Sequence, residues 1–410
     1  MARSYYPRTA LAILTGLNFF NYMDRSVLFA VQPLVQKEFP RSDAEYGFLT
    51  TAFFICYMVA APIVGYFADR YSRKWIMVGG ALLWCAATLL TAVTHNFETL
   101  LFRHALVGIG EATFVAVSPS FLSDLFSEEH RGRIFGVFYL NIGLGTAVGY
   151  IVGGKLGELY GWRAPFLVAA IPGFLLAVAL AFLPEPVRGS HDLLKPTGER
   201  TTVLGLFRNG AFWMATLGMA MTSFALGGLQ VWIPTFLSRS RGVPLGYANE
   251  VFGGITAFNA IAATLLGGWV GDRLLARTKS AYYLVSAATL AISVPAMLLA
   301  IYKTGPMMFP AIFVAEFFLF LNTAPLNAAV VNSVGAAIRA TAIAVNLLAI
   351  HLLGDTFSAP LIGRISDRTN LETGFLAAIV AIAIGALILF YGMRFAPEIP
   401  NKIPAEVAAG

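Results

Sequence analysis

Charged residues are scarce in this sequence. Lys, Arg, Asp and Glu together make up 12% of its 410 residues, whereas a soluble globular domain carries about 25%. Hydrophobic residues make up 58% of the chain, and the mean hydropathy is +0.72. A surface with so little charge cannot face water throughout. The composition therefore excludes an ordinary soluble protein and predicts an integral membrane protein.

Residues that carry enzyme chemistry are also sparse. The chain has two cysteines, Cys56 and Cys85, and five histidines, which are too few for a disulfide framework or a zinc cluster. It has no phosphate-binding loop for ATP, and the Gly-Ile-Gly-Glu segment at 108–111 lies inside an apolar run rather than after a strand. The net charge of +6 does not indicate nucleic-acid binding. We therefore predict a protein that is not an enzyme and that binds no metal, no organic cofactor and no nucleic acid.

Most of the chain consists of continuous apolar runs of about 20 residues, the length at which a helix crosses the hydrocarbon core. Lipid offers no partners to backbone polar groups, so only helices or closed barrels span it, and barrel strands would show short alternating segments. The runs predict an all-α membrane protein with twelve transmembrane helices. The predicted spans are 10–33, 47–68, 75–94, 99–122, 133–154, 164–183, 211–237, 249–271, 281–301, 306–328, 338–362 and 373–394.

A polar, proline-marked segment divides these spans into two groups of six. We predict an N-terminal six-helix bundle at 1–183, a linker at 184–210 and a C-terminal six-helix bundle at 211–410. Lys and Arg are more frequent on the segments that share a side with the N-terminus, and such a bias marks the cytoplasmic side. We therefore expect a multi-pass plasma-membrane protein, in a bacterium an inner-membrane protein, with both termini and the linker in the cytoplasm.

Two short motifs each occur twice, once in each half. The Gly-x3-Asp-Arg segment at 65–70 recurs at 268–273, and the Gly-x3-acid segment at 154–158 recurs at 363–367. Each copy lies at the end of the equivalent span of its half. The repeats predict two pseudo-symmetric bundles, an arrangement in which a transporter places its binding site between its repeats.

The loop after span 2 contains Gly65, Asp69, Arg70, Arg73 and Lys74. This segment resembles the signature loop between helices 2 and 3 of the major facilitator superfamily. Glycine allows two helix ends to approach closely, and Asp69 could bridge to a neighbouring helix end in one state and release it in the other. The alternative is a basic loop that only sets the topology.

Span 1 carries a polar stripe. Its polar residues fall within an arc of about 120° at 100° per residue. Charged groups at membrane depth are costly and usually line a cavity or pathway, so we expect this stripe to face one. The alternative is a structural pair of Asp24 with a basic residue that only fixes helix packing. The stripe comprises Asn18, Asn21, Asp24, Arg25 and Gln32.

Span 4 carries a second polar stripe with Arg103, His104, Glu111 and Ser118. Arg103 and Glu111 are about 12 Å apart along the axis. Arginine keeps its proton, whereas a desolvated glutamate can hold one near neutral pH. The stripe suggests an anion-binding arginine beside a titratable glutamate; the alternative is a static ion pair. His104 is expected to be a packing residue.

The C-terminal half offers three further candidates. Glu316 lies among phenylalanines in span 10, and His351 and Asp355 share one face of span 11. Each could be a second proton site or contact the substrate, or could be a polar residue that its neighbours satisfy. The C-terminal spans are also richer in aromatic residues, which suits a substrate with an apolar tail.

Several stretches together resemble the Spinster family of lipid transporters. They are 21–25, 65–74, 103–112, 118–126 and 131–139, and the resemblance covers most of residues 10–175. It implies transport of lysophospholipids or sphingosine 1-phosphate with a proton as the coupling ion. It also implies that Asp24 and Glu111 carry protons and that Arg103 is a headgroup or relay residue.

Three functions therefore remain open. The first is proton-coupled transport of a lysolipid-like amphiphile, by a protein that we expect to be a monomer. The second is transport of a small organic anion, which Arg25 and Arg103 would serve equally well. A multidrug exporter is the third, and a membrane enzyme or scaffold is less favoured than any of them. Cavity shape discriminates the first two, because a lipid carrier needs a side opening to the bilayer and a pocket for the tail.

Overall fold

The computed structural model describes residues 2–188, 203–334 and 338–397. Most of the predicted linker, 189–202, lies outside the described residues, as do Met1 and the C-terminal residues 398–410. The predicted domain boundaries on either side of the linker therefore stay predictions. Of the described residues, 2–188 are treated below as the N-terminal half and 203–397 as the C-terminal half.

The chain is helical throughout, and none of the described residues forms a strand, which confirms the predicted all-α class. The helices of the N-terminal half are α1 (Ala2–Glu38), α2 (Asp43–Ala68), α3 (Arg73–Thr91), α4 (Phe97–Ser123), α5 (Glu128–Tyr160) and α6 (Ala164–Ala181). Those of the C-terminal half are α7 (Val203–Phe207), α8 (Gly210–Arg239), α9 (Leu245–Leu275), α10 (Ala281–Tyr302), α11 (Met308–Leu321), α12 (Thr323–Asn332), α13 (Arg339–Ile350), α14 (Thr356–Arg368) and α15 (Leu371–Gly392). A π-helical turn, His351–Asp355, joins α13 to α14.

Among the described residues, eleven helical segments are long and apolar enough to cross a membrane. Each coincides with one predicted span; α11 with α12 forms one segment, and α13 with α14 forms another. The remaining predicted span is α1, which has 37 residues but does not meet the same criterion. Its polar stripe lowers its hydropathy, so its place in the membrane depends on burying those residues within the bundle.

Side-chain caps define where several helices begin. Ser42 and Glu45 form a reciprocal capping box at the start of α2, and Asn96, Asn209 and Asn370 accept hydrogen bonds from the first turns of α4, α8 and α15. Such caps satisfy backbone N–H groups that have no partner within the helix. Each of these helices can therefore begin directly after its connecting segment.

The two halves share one large hydrophobic cluster, and each half has a further cluster of its own. Buried residues such as Val31 and Tyr46 belong to the same cluster as Trp232 and Phe236. A second cluster lies wholly in the N-terminal half, and a third lies wholly in the C-terminal half. The backbones of the two halves meet where α2 begins and α14 ends, since a Cβ at Gly363 would clash with the backbone of Asp43. We call this end the closed end and the opposite one the open end.

A candidate transport site between the two halves

A polar cavity of about 220 Å³ lies between the two halves. We call it the central cavity. It is lined by α1, α2, α4 and α5 from the N-terminal half, and by α8 and the π-helical turn from the C-terminal half. Its position between the repeats is where a transporter built from duplicated halves binds its substrate. Its lining residues include Tyr22, Arg25, Phe54, His104, Gln230, His351 and Asp355.

The Arg25 side chain forms the charged surface of this cavity. Its Nε lies 2.5 Å from Glu111 Oε2, across from α1 to α4, and the Glu111 side chain is fully buried. The guanidinium also lies 4.9 Å from the Tyr22 ring centroid and 4.7 Å from that of Phe53. Arg25 Nη2 and Glu111 Oε1 are buried without a hydrogen-bond partner among the described residues. The pair therefore holds Arg25 in place and leaves one buried donor and one buried acceptor without a partner among the described residues.

Asp24 points away from the central cavity. It is 6% exposed, and it accepts a hydrogen bond from the Thr88 hydroxyl on α3. Glu111 is likewise buried behind Arg25. The expectation that the two carboxylates face one cavity is therefore wrong for this structure, because both lie inside the N-terminal bundle and Arg25 alone of the three lines the cavity.

Arg103 does not pair with Glu111. Its guanidinium donates to the Leu90 carbonyl at the end of α3 and to Thr94 Oγ1, the latter at 2.5 Å. The last carbonyls of a helix lack partners and attract a cation, which accounts for this position at the closed end. The arginine that pairs with Glu111 is thus Arg25 on α1 and not Arg103.

The C-terminal half contributes the His351–Asp355 pair. His351 Nδ1 lies 2.6 Å from Asp355 Oδ2, and the Phe54 ring stacks on the imidazole with a centroid separation of 5.0 Å. Both members of the pair line the central cavity. A π-helical turn inserts an extra residue into a helix and occurs frequently at functional sites, and this one begins at His351 and ends at Asp355.

Glu316 occupies a different environment. It is 5% exposed and lies between α9 and α11, where it accepts hydrogen bonds from Thr256 (2.8 Å) and Asn259 (3.4 Å). It does not line the central cavity. Of the three C-terminal candidates, the fold therefore brings His351 and Asp355 to the cavity and leaves Glu316 inside the bundle.

The remaining residues of the α1 polar stripe, Asn18, Asn21 and Gln32, are buried and do not line the central cavity. Asn18 donates to the Phe138 carbonyl on α5 at 2.9 Å. Both amide atoms of Asn21 are buried without a partner among the described residues. The cavity residues that sequence reasoning missed are aromatic or neutral: Tyr22, Phe54 and Gln230. Only Gln230, a polar residue inside an apolar span, offered a signal in the sequence.

The signature loop contacts its own half. Arg73 forms an ion pair with Asp124 at the end of α4 (2.5 Å), Lys74 donates to the Ala181 carbonyl (3.1 Å), and Arg70 stacks on the Tyr66 ring at 3.5 Å. The backbone carbonyl of Asp69 accepts from Arg188. A Cβ at Gly65 would meet nothing within 4 Å, so the close helix approach predicted for this glycine does not occur at the open end.

At the closed end, the second repeated motif connects the two halves. Asp367 at the end of α14 accepts from the backbone N–H groups of Asp43 (2.7 Å) and Ala44 (3.0 Å) at the start of α2. Glu158 at the end of α5 accepts from the N–H of Gly246 (2.7 Å) at the start of α9. Each acidic residue of the repeat thus caps the N-terminus of a helix in the opposite half, where a negative charge is favourable.

A salt bridge reinforces one of these two contacts. The Arg239 guanidinium binds the Asp43 carboxylate through both oxygens, at 2.7 and 2.5 Å, and Ser366 donates to the same carboxylate at 2.7 Å. The closed end is therefore held by directed polar contacts in addition to its shared apolar core.

The family model of the Major Facilitator Superfamily matches residues 14–354. Protein spinster homolog 1 of Bos taurus is 36% identical over 386 residues, which cover 87% of this chain and 72% of the relative. The chain belongs to the Spinster family of the major facilitator superfamily. Another Spinster relative, the sphingosine-1-phosphate transporter SPNS2 of Danio rerio, is 34% identical over 90% of this chain and 77% of its own length.

A solved structure gives the same fold. The chain superimposes with a TM-score of 0.88 on a bacterial homolog of the human lysosomal transporter Spinster, which was solved in an inward-facing and unoccupied conformation. The match covers 95% of this chain and 98% of that one at 23% identity. Members of this superfamily are transporters rather than enzymes and need no cofactor. The protein is thus a multi-pass membrane transporter of the Spinster family.

Proposed function

We propose that the protein is a secondary, proton-coupled transporter that moves a lysophospholipid or a related amphipathic lipid by alternating access. The observation that carries this proposal is the Arg25–Glu111 pair at the surface of the central cavity. An anionic headgroup in the cavity would meet the guanidinium of Arg25, whose side chain lines the cavity. A relative named as a sphingosine-1-phosphate transporter supports a substrate that combines such a headgroup with a hydrocarbon chain.

Competition for Arg25 would couple the substrate to a proton. When a phosphate or carboxylate of the substrate takes the guanidinium, Glu111 loses its counter-charge. A buried, unpaired carboxylate is strongly disfavoured against its neutral form, so substrate binding favours protonation of Glu111. Return of Arg25 to Glu111 after substrate release would expel the proton. The two cargoes are thereby linked without direct contact.

Alternating access would exchange the two ends of the molecule. In the described state the closed end is held by the contacts of Asp43, Glu158 and Asp367, while the signature loop at the open end contacts its own half. In the other state the signature loop would approach the C-terminal half. Gly65, where a Cβ would meet nothing within 4 Å in the described state, would then contact a helix of that half. With the predicted orientation, the open end and both termini are cytoplasmic.

The coupling proposal is tested by Glu111→Gln, which keeps the shape of the side chain and mimics its protonated state. In proteoliposomes we expect this variant to bind a lysophospholipid but to lose uptake driven by an imposed pH gradient. Glu316→Gln is the matched control, because it makes the same chemical change in the other half, away from the cavity, and should keep its response to the gradient. A full response of Glu111→Gln to the gradient would remove Glu111 from the mechanism.

A small organic anion is the second candidate substrate. The central cavity by itself has a volume of about 220 Å³ and offers Arg25 to an anionic group, which would suffice for a carboxylate of modest size. Binding of a lysophospholipid panel and of matched headgroups without a chain discriminates the two. Equal affinity for a headgroup with and without its chain would favour the small anion.

The orientation is tested by labelling. We propose that the linker faces the cytoplasm of a cell whose plasma membrane holds the protein. A cysteine placed at Ser190, in a variant without Cys56 and Cys85, should react with a membrane-impermeant reagent only in inside-out vesicles. Reaction from the outside of intact cells would reverse the topology.

A further inference from the structure

The helices α2 and α13–α14 separate progressively from the closed end. Near that end they are in direct contact, since a Cβ at Gly47 would lie 2.5 Å from the backbone of Ala359. Further along, the space between them is occupied by rings: Phe54 and Tyr57 lie 5.0 and 5.8 Å from the His351 ring. Beyond His351 a cavity of about 390 Å³ opens between the two helices. We call it the side groove.

The side groove is almost entirely apolar. Its length along α13, from Thr341 to His351, is about 15 Å at 1.5 Å per residue. Away from His351, two alanines contribute to its surface, Ala61 on α2 and Ala344 on α13. The residues that line it include Tyr57, Met58, Ala61, Ala344, Leu348 and His351.

The side groove continues the central cavity. His351 lines both, and Tyr57, which lines the groove, has its ring centroid 5.6 Å from the Arg25 guanidinium. The central cavity and the side groove thus meet at the side chains of Tyr57 and His351. The helices on its two sides belong to opposite halves, so the groove must change shape whenever the halves move relative to each other.

At the opposite boundary between the halves, α5 and α9 pack closely. Small residues of 143–158 on α5 face small residues of 246–260 on α9. A Cβ at Gly253 would lie 2.8 Å from the Ala147 carbonyl, and one at Gly143 would lie 3.1 Å from the Cβ of Ala260. An apolar chain that leaves the central cavity sideways therefore has its path between α2 and α13.

We infer that the side groove binds the hydrocarbon chain of the transported amphiphile while the headgroup lies in the central cavity, and that the small side chains of Ala61 and Ala344 allow long chains to pass. This inference rests on the proposed function. A chain in the groove is removed from water and contacts both halves, so each methylene within the groove adds to the affinity. The chain beyond the alanines would extend toward the bilayer.

The first test blocks the groove. Ala344→Trp and Ala61→Trp would fill it, whereas Ile343→Trp and Ile63→Trp place the same side chain at exposed neighbouring positions on the same two helices. Binding is measured for lysophospholipids with one headgroup and chains of increasing length. We expect the blocked variants to bind the shortest chain normally and to lose about tenfold or more in affinity for the longest. Both control variants should retain the full dependence on chain length.

The outcomes distinguish a failure of the proposed function from a failure of the groove assignment alone. If the unmodified protein binds no lysophospholipid, the proposed function fails and the assignment of the groove fails with it. If it binds them with an affinity that rises with chain length, and the blocked variants show the same rise, the groove assignment is overturned while the proposed function stands.

A second measurement needs no variant. A lysophospholipid with a photoreactive group at the end of its chain is activated in the bound state, and the labelled peptides are mapped. We expect labels within 57–62 and 341–351 that an excess of unlabelled substrate removes. Labelling of α5 and α9 instead, or labelling of the groove that substrate does not displace, would show that the transported chain lies elsewhere and that the groove holds only membrane lipid.

Discussion

The two halves of the molecule bury their charged residues in different ways. In the N-terminal half, the Arg25–Glu111 pair leaves a buried donor and a buried acceptor without partners, and Asp24 has a single neutral neighbour in Thr88. In the C-terminal half, both oxygens of Glu316 accept hydrogen bonds from neutral side chains. A group whose partners are incomplete can exchange them at modest cost, whereas a satisfied network stabilises one arrangement. The comparison supports the proposal that coupling resides in the N-terminal half, and it predicts that Glu316 serves packing.

Removal of Arg25 is the change with the largest expected effect on this difference between the halves. We expect Arg25→Met to abolish transport and to lower stability by about 3–5 kcal/mol, because it leaves the Glu111 carboxylate buried without its counter-charge. Thermal unfolding in detergent measures the loss.

A double-mutant cycle separates the charge effect from lost packing. Adding Glu111→Gln to Arg25→Met should recover most of the stability but none of the transport. An equal loss of stability in the single and double variants would show that the guanidinium acts only through its packing against Tyr22 and Phe53.

If the two halves differ only in their interiors, the two helix caps at the closed end should contribute equally to keeping it closed. Asp367→Asn and Glu158→Gln each weaken a cap on a helix of the opposite half, and a capping contact contributes about 1 kcal/mol. We expect each variant to shift the population toward the alternate state by about fivefold. Distances between spin labels placed across the closed end measure the shift.

An unequal result at this end would sharpen the comparison. Asp367 acts next to the Arg239–Asp43 salt bridge, whereas Glu158 lies beside the more exposed Lys155–Glu250 pair. A larger effect of Asp367→Asn would show that the salt bridge adds to its cap. Unchanged distances in both variants would mean that the apolar core alone keeps this end closed.

The smallest effect on the described state is expected at the signature loop. Asp69→Asn should leave expression and substrate binding unchanged, because the loop does not bind the other half in this state, but should slow transport severalfold by disfavouring the state in which it does. Asp272→Asn is the equivalent change in the C-terminal repeat, where Asp272 accepts from the Tyr282 hydroxyl at 2.8 Å. Initial uptake rates at saturating substrate measure both variants. Full transport by Asp69→Asn would reduce Asp69 to a residue that sets topology.

Local properties of the sequence were sufficient for the class of the protein and for most of its anatomy. Apolar runs have the length of the bilayer core whatever their neighbours are, so the spans could be placed, although α1 and α5 extend beyond the predicted 10–33 and 133–154 at both ends. The repeated motifs revealed the duplicated halves, and the cost of charge in lipid identified Arg25, Glu111, Glu316 and Asp355 as residues that need a special environment.

Which of these residues meet was decided only by the tertiary structure. Helical periodicity places side chains on one face of one helix, but the contact between two faces depends on how the helices rotate and approach each other. For this reason Glu111 pairs with Arg25 from α1, while Arg103, on its own helix, binds the end of α3. The same limit applies to Glu316 and His351, which are equally polar in the sequence. Packing encloses the first between α9 and α11 and turns the second, through a π-helical turn that periodicity does not reveal, toward the cavity between the halves.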